Sequence, residues 1–181
     1  MDNYIIFTAM KKILLLLAIA LVLPMAASAQ KMVPAFVMDS KGPVTNIRTA
    51  PNAKAKVAMT LPTDKGSYEL LLGEVKNGWW KIEDNIYEAE ENAEVKLHGS
   101  KMGYWIHNSI VGFGIAGEQD DALYAKPSKK ARMIKVYPGD GLYFHPLEVR
   151  GNWVKVVSID GRYTGWMLID RICSNSLTTC P

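Results

Sequence analysis

The feature that most constrains this chain is a degenerate internal repeat. The first copy, residues 44–106, has an Asn-x-Arg-x-x-Pro segment, a Gly-Trp-Trp-Lys-Ile segment and a Gly-Tyr-Trp-Ile segment, which begin at Asn46, Gly78 and Gly103. The second copy, residues 123–168, has Leu-Tyr-Ala-Lys-Pro, Gly-Asn-Trp-Val-Lys-Val and Gly-Trp-Met-Leu in the same order. The simplest interpretation is two similar modules in tandem.

The chain length of 181 residues is enough for one ordinary domain or two small ones, and the repeat favours two. We expect the first domain at residues 30–115, the second at 116–172 and a C-terminal tail at 173–181. The glycine-rich segment 112–118 is the expected seam between them. Because domains this small have little core of their own, the two should pack against each other.

The N-terminal segment has the pattern of a secretory signal. Lys11 and Lys12 precede the apolar run 13–23, and a small-residue exit ends at Ala29. Residues 1–29 are therefore predicted to be removed, which makes the protein exported, either periplasmic or secreted. The alternative is a membrane anchor, but a spanning helix needs about 20 apolar residues and Pro24 interrupts this run. After cleavage we expect no membrane span.

Net charge and cysteine content restrict the partners. A formal net charge of +3 is too small to indicate nucleic acid binding, which calls for a clustered basic face. The two cysteines, Cys173 and Cys180, are expected to form a disulfide in an exported chain. A metal or catalytic thiol is the alternative, but His98, His107 and His145 follow no ligand spacing. We expect no cofactor and no metal.

Alternation along the Trp-containing segments predicts which side chains face a core. Trp80 and Ile82 fall on one face of the first copy, and Val154 and Val156 fall on one face of the second. These four residues should be buried. Trp79 and Trp153 fall on the opposite faces, so we expect them to point outwards, with Lys81 and Lys155 two residues further along.

The first copy carries an insertion that the second lacks. It includes an acidic stretch, residues 87–94, and the segments 86–87 and 94–97 could form the two arms of a hairpin. An elongated hairpin turning near Asn92 fits this pattern, whereas a short helix is the alternative because Glu and Ala favour helices. Elsewhere, short strands at regular spacing with turn residues between them predict an all-β protein made of two small barrels.

The three segments resemble the bacterial SH3-like (SH3b) family. Its Asn-x-Arg-x-x-Pro opening is matched at Asn46, Arg48 and Pro51, and its two Gly-aromatic strands are matched from Gly78 and from Gly103. In the second copy, residues 123–127 replace the opening segment, whereas Gly151 to Val156 and Gly165-Trp166 keep the rest of the pattern. The resemblance implies two tandem bent barrels in an exported protein, acting as a non-catalytic module that binds cell-wall components.

No catalytic constellation is evident. A cysteine peptidase needs a histidine downstream of its nucleophile, and all three histidines precede Cys173. Acidic runs such as residues 87–94 are most often solvated surface rather than paired catalytic carboxylates. We therefore expect no enzymatic activity.

Outward aromatic residues are the candidate binding residues, since exposed aromatic rings stack on sugars and pack against peptides. The predicted ligand-binding residues are Trp79, Lys81, Tyr104, Tyr124, Tyr143, Trp153, Lys155 and Trp166. Alternatively, Trp79 and Trp153 are half-buried lids over the loops of the barrels or lie between the modules. The leading hypothesis is a module that recognises peptidoglycan, as glycan or peptide, or another envelope component. The alternative is a protein–protein interaction module that docks on an envelope partner or on a second copy.

Overall fold

The computed structural model of the protein describes residues 31–40, 42–64, 66–98, 103–115, 121–137, 142–175 and 177. The predicted signal segment and Cys180 lie outside these residues, so the cleavage site and the Cys173–Cys180 disulfide stay predictions. Cys173 itself is buried and is not a free thiol.

Regular structure in the described residues is β-strand, apart from two single-turn 3-10 helices at Asn108–Ile110 and Ile169–Arg171. The first half of the chain forms β1 (Val33–Val37), β2 (Val44–Arg48), β3 (Val57–Pro62), β4 (Tyr68–Lys76), β5 (Trp79–Ile82), β6 (Ile86–Glu88), β7 (Ala93–Val95) and β8 (Tyr104–His107). The second half forms β9 (Val111–Ile115), β10 (Asp121–Tyr124), β11 (Met133–Tyr137), β12 (Tyr143–Arg150), β13 (Trp153–Ser158), β14 (Thr164–Leu168) and β15 (Ile172–Cys173). The all-β prediction is confirmed.

The repeat is visible in the order of the strands. The main path of the antiparallel sheet runs β11-β10-β14-β13-β12-β9-β1-β4-β5-β8-β2-β3. If β9 is matched with β1, β12 with β4, β13 with β5 and β14 with β8, the order reads the same from either end. The two halves therefore have one topology and meet where β1 pairs with β9.

Two separate barrels are not what the described strands show. β1 and β9 pair through Phe36 with Gly112 and through Val37 with Val111, which joins both halves into one sheet. The main path has ends at β3 and β11, so the sheet is open within the described part of the chain. The closure of each half into an SH3-like barrel stays a prediction.

The glycine-rich segment expected as a seam is instead a buried strand. All five residues of β9 are buried, and this strand pairs with β1, β12 and β15. A Cβ on Gly112 would clash with the Met38 sulfur and lie 2.8 Å from the Phe144 carbonyl oxygen. Glycine here permits close packing rather than flexibility. The predicted division after residue 115 stays a prediction, although these pairings group β9 with the second half.

The insertion in the first half is a hairpin, as predicted, and not a helix. β6 and β7 pair through Ile86 with Val95, and the turn contains Asn92 with a positive φ of 54°. The strands are only three residues long each, so the hairpin is short rather than elongated. Glu88 is buried, and its carboxylate accepts backbone N–H groups of Glu90 and Glu91. Part of the acidic stretch therefore stabilises the turn.

The predicted core residues are confirmed. Trp80, Ile82, Val154 and Val156 are all buried within one hydrophobic cluster that extends through both halves. The Trp80 indole nitrogen donates to the carbonyl oxygen of Pro146, 3.0 Å away in the second half. Such a bond satisfies a polar group that burial would otherwise leave costly. It also ties the core of one half to the backbone of the other.

Candidate functional site

The predicted site residues gather into two equivalent rows, one in each half. Across β2, β8 and β5, Arg48 lies beside Trp105, and Trp105 lies beside Lys81. Across β10, β14 and β13, the corresponding residues are Tyr124, Trp166 and Lys155. Directly paired residues of neighbouring strands project to the same side of a sheet.

A second pair of residues extends each row. Trp79 pairs with His107 in the first half, and Trp153 pairs with Leu168 and Arg150 in the second. We call the resulting surfaces the first face (Arg48, Trp79, Lys81, Trp105 and His107) and the second face (Tyr124, Arg150, Trp153, Lys155 and Trp166). The sequence repeat therefore places the same kind of surface twice.

On the first face the aromatic rings are covered. Trp79 is 9% exposed, against the outward position predicted for it, and Trp105 is 5% exposed. The His107 ring meets Trp79 edge-on at 5.1 Å, and the Arg48 guanidinium carbon lies 6.0 Å from the Trp79 ring centre. Alternation gave the direction of Trp79 relative to Trp80 correctly. It could not show that two side chains from other strands cover the indole.

The side chain of Arg48 is held in place by the loop that follows it. Its Nη1 donates to the carbonyl oxygen of Ala55 at 2.7 Å, so the guanidinium lies across the loop between β2 and β3. His107 is fixed as well, since its Nδ1 accepts the backbone N–H of Ser109 and lies 2.8 Å from the Ser109 hydroxyl. Burial lowers the pKa of His107, which favours the neutral ring at pH 7.

Two further predicted site residues of the first half are engaged within the protein. Lys81 Nζ forms an ion pair with Glu83 at 3.0 Å. Tyr104 lies in the hydrophobic core cluster, 9% exposed, and its hydroxyl donates to the His98 carbonyl. Tyr104 thus points to the core rather than to the first face, because it pairs with the inward Ile82. Tyr104 therefore does not belong to the first face, and its role in ligand binding stays a prediction.

On the second face the rings are more accessible. Tyr124 and Trp153 are both half-buried, and their rings meet edge-on at 5.5 Å. Trp166 is buried beneath Arg150, whose guanidinium carbon lies 5.2 Å from its ring centre. Arg150 is in turn fixed by Glu148, with Nε 2.6 Å from the carboxylate. Trp166 therefore packs beneath the second face and is not available for contact with a ligand.

Lys155 is the cation of the second face. It is half-buried and lies between Glu148 on β12 and Trp166 on β14. None of the ion pairs formed by described residues includes it, whereas its equivalent Lys81 is paired. The second face thus has half-exposed rings beside a cation that can pair with an external carboxylate.

Tyr143, the remaining predicted residue, lies apart from both faces. It is 45% exposed at the start of β12, and its ring packs edge-on against Phe36 of β1 at 6.0 Å. Phe36 also lines a cleft of about 660 Å³ at the junction of the halves, with Asp39, His145 and Ile159 among its other lining residues. Nδ1 of His145 is 2.7 Å from the Val111 carbonyl oxygen.

A basic loop beside the second face was missed in the sequence analysis. Residues 125–132, between β10 and β11, surround a cavity of about 490 Å³ lined by Lys126, Lys130 and Arg132 together with small residues. The signal was a run of cations without an acid between them. Overall net charge hid it, because a local cluster hardly changes the total.

Metal and membrane features can be stated for the described residues. They contain no group of three or more His, Cys, Asp or Glu residues that could hold a metal ion. In the same part of the chain, no helix has the length and apolar character needed to cross a membrane.

Comparisons with known proteins identify no family. No family model matches the chain, and no curated protein matches it. Among solved structures it is similar to NlpC2 and NlpC1 from Trichomonas vaginalis, each at 12% identity and a TM-score of 0.31. The matches cover 81% of this chain and 49% and 47% of those two chains, so the chain spans about half the length of the structures it matches.

Proposed function

We propose that the protein is an exported, non-catalytic binding module that recognises peptidoglycan or another cell-envelope polymer through the second face. The observation that carries the proposal is the contrast between two equivalent surfaces. Trp79 is covered and Lys81 is paired on the first face, whereas Trp153 is half-exposed and Lys155 is outside every described ion pair on the second.

The chemistry of the second face suits a glycan with peptide branches. The edge-on contact between Tyr124 and Trp153 holds both rings in fixed orientations, so little side-chain entropy is lost when a ligand packs on them. Aromatic faces stack on the apolar sides of sugar rings. Lys155 stands beside them and can pair with a carboxylate of a peptide stem.

Export and module identity rest on the sequence. The signal pattern of residues 1–29 supports an exported location. The SH3b-like segments and the repeated strand order support two SH3-like modules, each proposed to be a bent barrel. In this arrangement the first module is the structural partner and the second carries the ligand.

Retention on purified sacculi tests the proposal. Trp153→Ala should weaken retention about tenfold, which corresponds to the loss of about 1.4 kcal/mol of ring stacking. Lys155→Ala should also weaken it, whereas the matched variant Lys81→Ala should not, because Lys81 is paired with Glu83. Circular dichroism checks that each variant is folded. Unchanged retention of a folded Trp153→Ala variant would refute the proposed site.

A second candidate function is docking on an envelope protein or on a second copy. It is favoured by two exposed apolar residues near the cleft at the junction, Tyr143 at 45% and Ile159 at 49% exposure. Exposed apolar surface of this kind often marks interfaces. Light scattering after size exclusion separates the two functions. Docking would be favoured if the wild-type protein forms a stable oligomer that does not bind sacculi, and if the Ile159→Asp variant is monomeric.

A further inference from the structure

We propose that the loop of residues 125–132 is a binding site for oxyanions, so that the polymer recognised by the second face carries phosphate or carboxylate groups. The inference rests on the proposed function and deepens it, because it names the chemical class of the ligand.

The first support is the charge of the loop. Lys126, Lys129, Lys130 and Arg132 lie within it without an acidic residue, and all four are exposed. None of them takes part in an ion pair formed by the described residues. The loop therefore carries four positive charges within eight residues that no described carboxylate neutralises, and a bound anion would offset them.

The second support is the shape of the loop, which its own backbone hydrogen bonds maintain. The N–H of Ala125 donates to the Arg132 carbonyl at 2.9 Å and closes the base. The Ala131 N–H donates to the Ser128 carbonyl at 3.0 Å, and the Lys130 N–H donates to the Ser128 hydroxyl at 3.2 Å. These bonds hold the loop around an open pocket of about 490 Å³, which is accessible to a segment of a polymer.

The third support is the equivalent loop of the first half. There Arg48 reaches across to the Ala55 carbonyl, and the loop has only Lys54 and Lys56 as cations. In the second half the residue at the position of Arg48 is Tyr124, whose ring packs against Trp153 instead. The first loop is thus crossed by its own side chain, whereas the second borders an open pocket whose lining includes Lys126, Lys130 and Arg132.

The position of Tyr124 connects the loop with the second face. Tyr124 is the last residue of β10, and the loop begins at the next residue. A polymer that packs a neutral ring on Tyr124 and Trp153 and continues past the end of β10 would therefore reach the cations of the loop. Lys and Arg pair with phosphate and carboxylate oxygens through charge-assisted hydrogen bonds.

Binding of defined polyanions to the purified protein tests the inference. The probes are polyglycerol phosphate, polygalacturonate, neutral dextran and a 20-base-pair DNA duplex, titrated by calorimetry at several salt concentrations. Lys126→Ser with Lys130→Ser should weaken binding of the preferred polymer about tenfold. It should also reduce the slope of log affinity against log salt by about two, one for each lost contact.

The matched control is Lys54→Ser with Lys56→Ser, which removes the same charge from the equivalent loop of the first half. Less than a twofold change is expected for it. The two acidic polymers decide between phosphate and carboxylate. An equal loss of affinity in both double variants would overturn the inference, since only the overall charge of the protein would then matter. Tighter binding to the DNA duplex than to either polymer, or binding to dextran as tight as to both acidic polymers, would also overturn it.

The same variants separate this inference from the proposed function. If Trp153→Ala lowers sacculus retention while the Lys126/Lys130 variant binds both acidic polymers normally, the anion site fails and the proposed function stands. If the Lys126/Lys130 variant alone loses polyanion binding and Trp153→Ala retains sacculus binding, the second face fails and the anion site stands.

Discussion

The two halves of the molecule share their strand order and the register of their aromatic rows, yet they present different surfaces. In the first half Arg48 and His107 cover Trp79, and Lys81 forms an ion pair with Glu83. In the second half Tyr124 replaces Arg48 and Leu168 replaces His107, so Trp153 stays half-exposed. The strand register thus fixes where an aromatic ring is placed, whereas one or two neighbouring side chains decide whether the ring is accessible.

The largest effect is expected in the core, at a pair of equivalent positions whose side chains differ greatly in size. Trp80 and Val154 occupy equivalent positions, and both are fully buried. Trp80→Ala should lower the free energy of unfolding by about 3–5 kcal/mol, because it leaves a large cavity and removes the hydrogen bond to the Pro146 carbonyl. Urea denaturation measures the change. Val154→Ala should cost clearly less, and equal costs would contradict the special role of Trp80 in joining the halves.

An intermediate effect is expected from exchanging the residues that distinguish the two faces. Arg48→Tyr removes the contact with Trp79 and the hydrogen bond to Ala55, so stability should fall by about 1–2 kcal/mol. The indole N–H resonance of Trp79 should shift and become sensitive to solvent paramagnets. The reciprocal change, Tyr124→Arg, should reduce sacculus retention. If neither variant alters access to its tryptophan, the explanation of the difference between the faces is wrong.

The smallest effect is expected at alkaline pH and concerns another pair of equivalent positions, Leu61 and Tyr137. Burial, in the first place, raises the pKa of Tyr137 to about 12 from an ordinary value of 10.0. Its buried hydroxyl has no hydrogen-bond partner among the described residues.

Because the pKa of Tyr137 is higher in the folded protein, its contribution to stability is complete below about pH 10 and is lost as the pH rises towards 12. Tyr137→Phe should keep the fold and reduce the loss of stability in this pH window, measured by denaturation at pH 8 and pH 11. Tyr87→Phe, on the exposed hairpin, serves as the control. A loss of equal size in wild type and Tyr137→Phe would contradict the assignment.

Features set by local pattern could be read from the sequence. Strand alternation gave the burial of Trp80, Ile82, Val154 and Val156, and turn residues gave the hairpin around Asn92. Both depend on neighbours within a few residues.

Features set by distant segments could not be read in this way. The cover of Trp79 comes from β2 and β8, and the central place of β9 depends on its pairing with β1, which lies more than 70 residues earlier in the chain. The glycine-rich sequence of β9 looks like that of a flexible linker, although its glycines permit close packing. The basic cavity was missed because charge was considered as a total and not by position.

The pairing of β1 with β9 has a consequence for each half alone. Two equivalent strands that pair antiparallel are related by an approximate twofold axis, as in an isologous dimer of identical subunits. A fragment ending before β9 would expose one edge of β1 and leave the Trp80 indole without its acceptor. Such a fragment has a self-complementary edge, and two copies of it would rebuild the central ladder of the intact molecule by associating with each other.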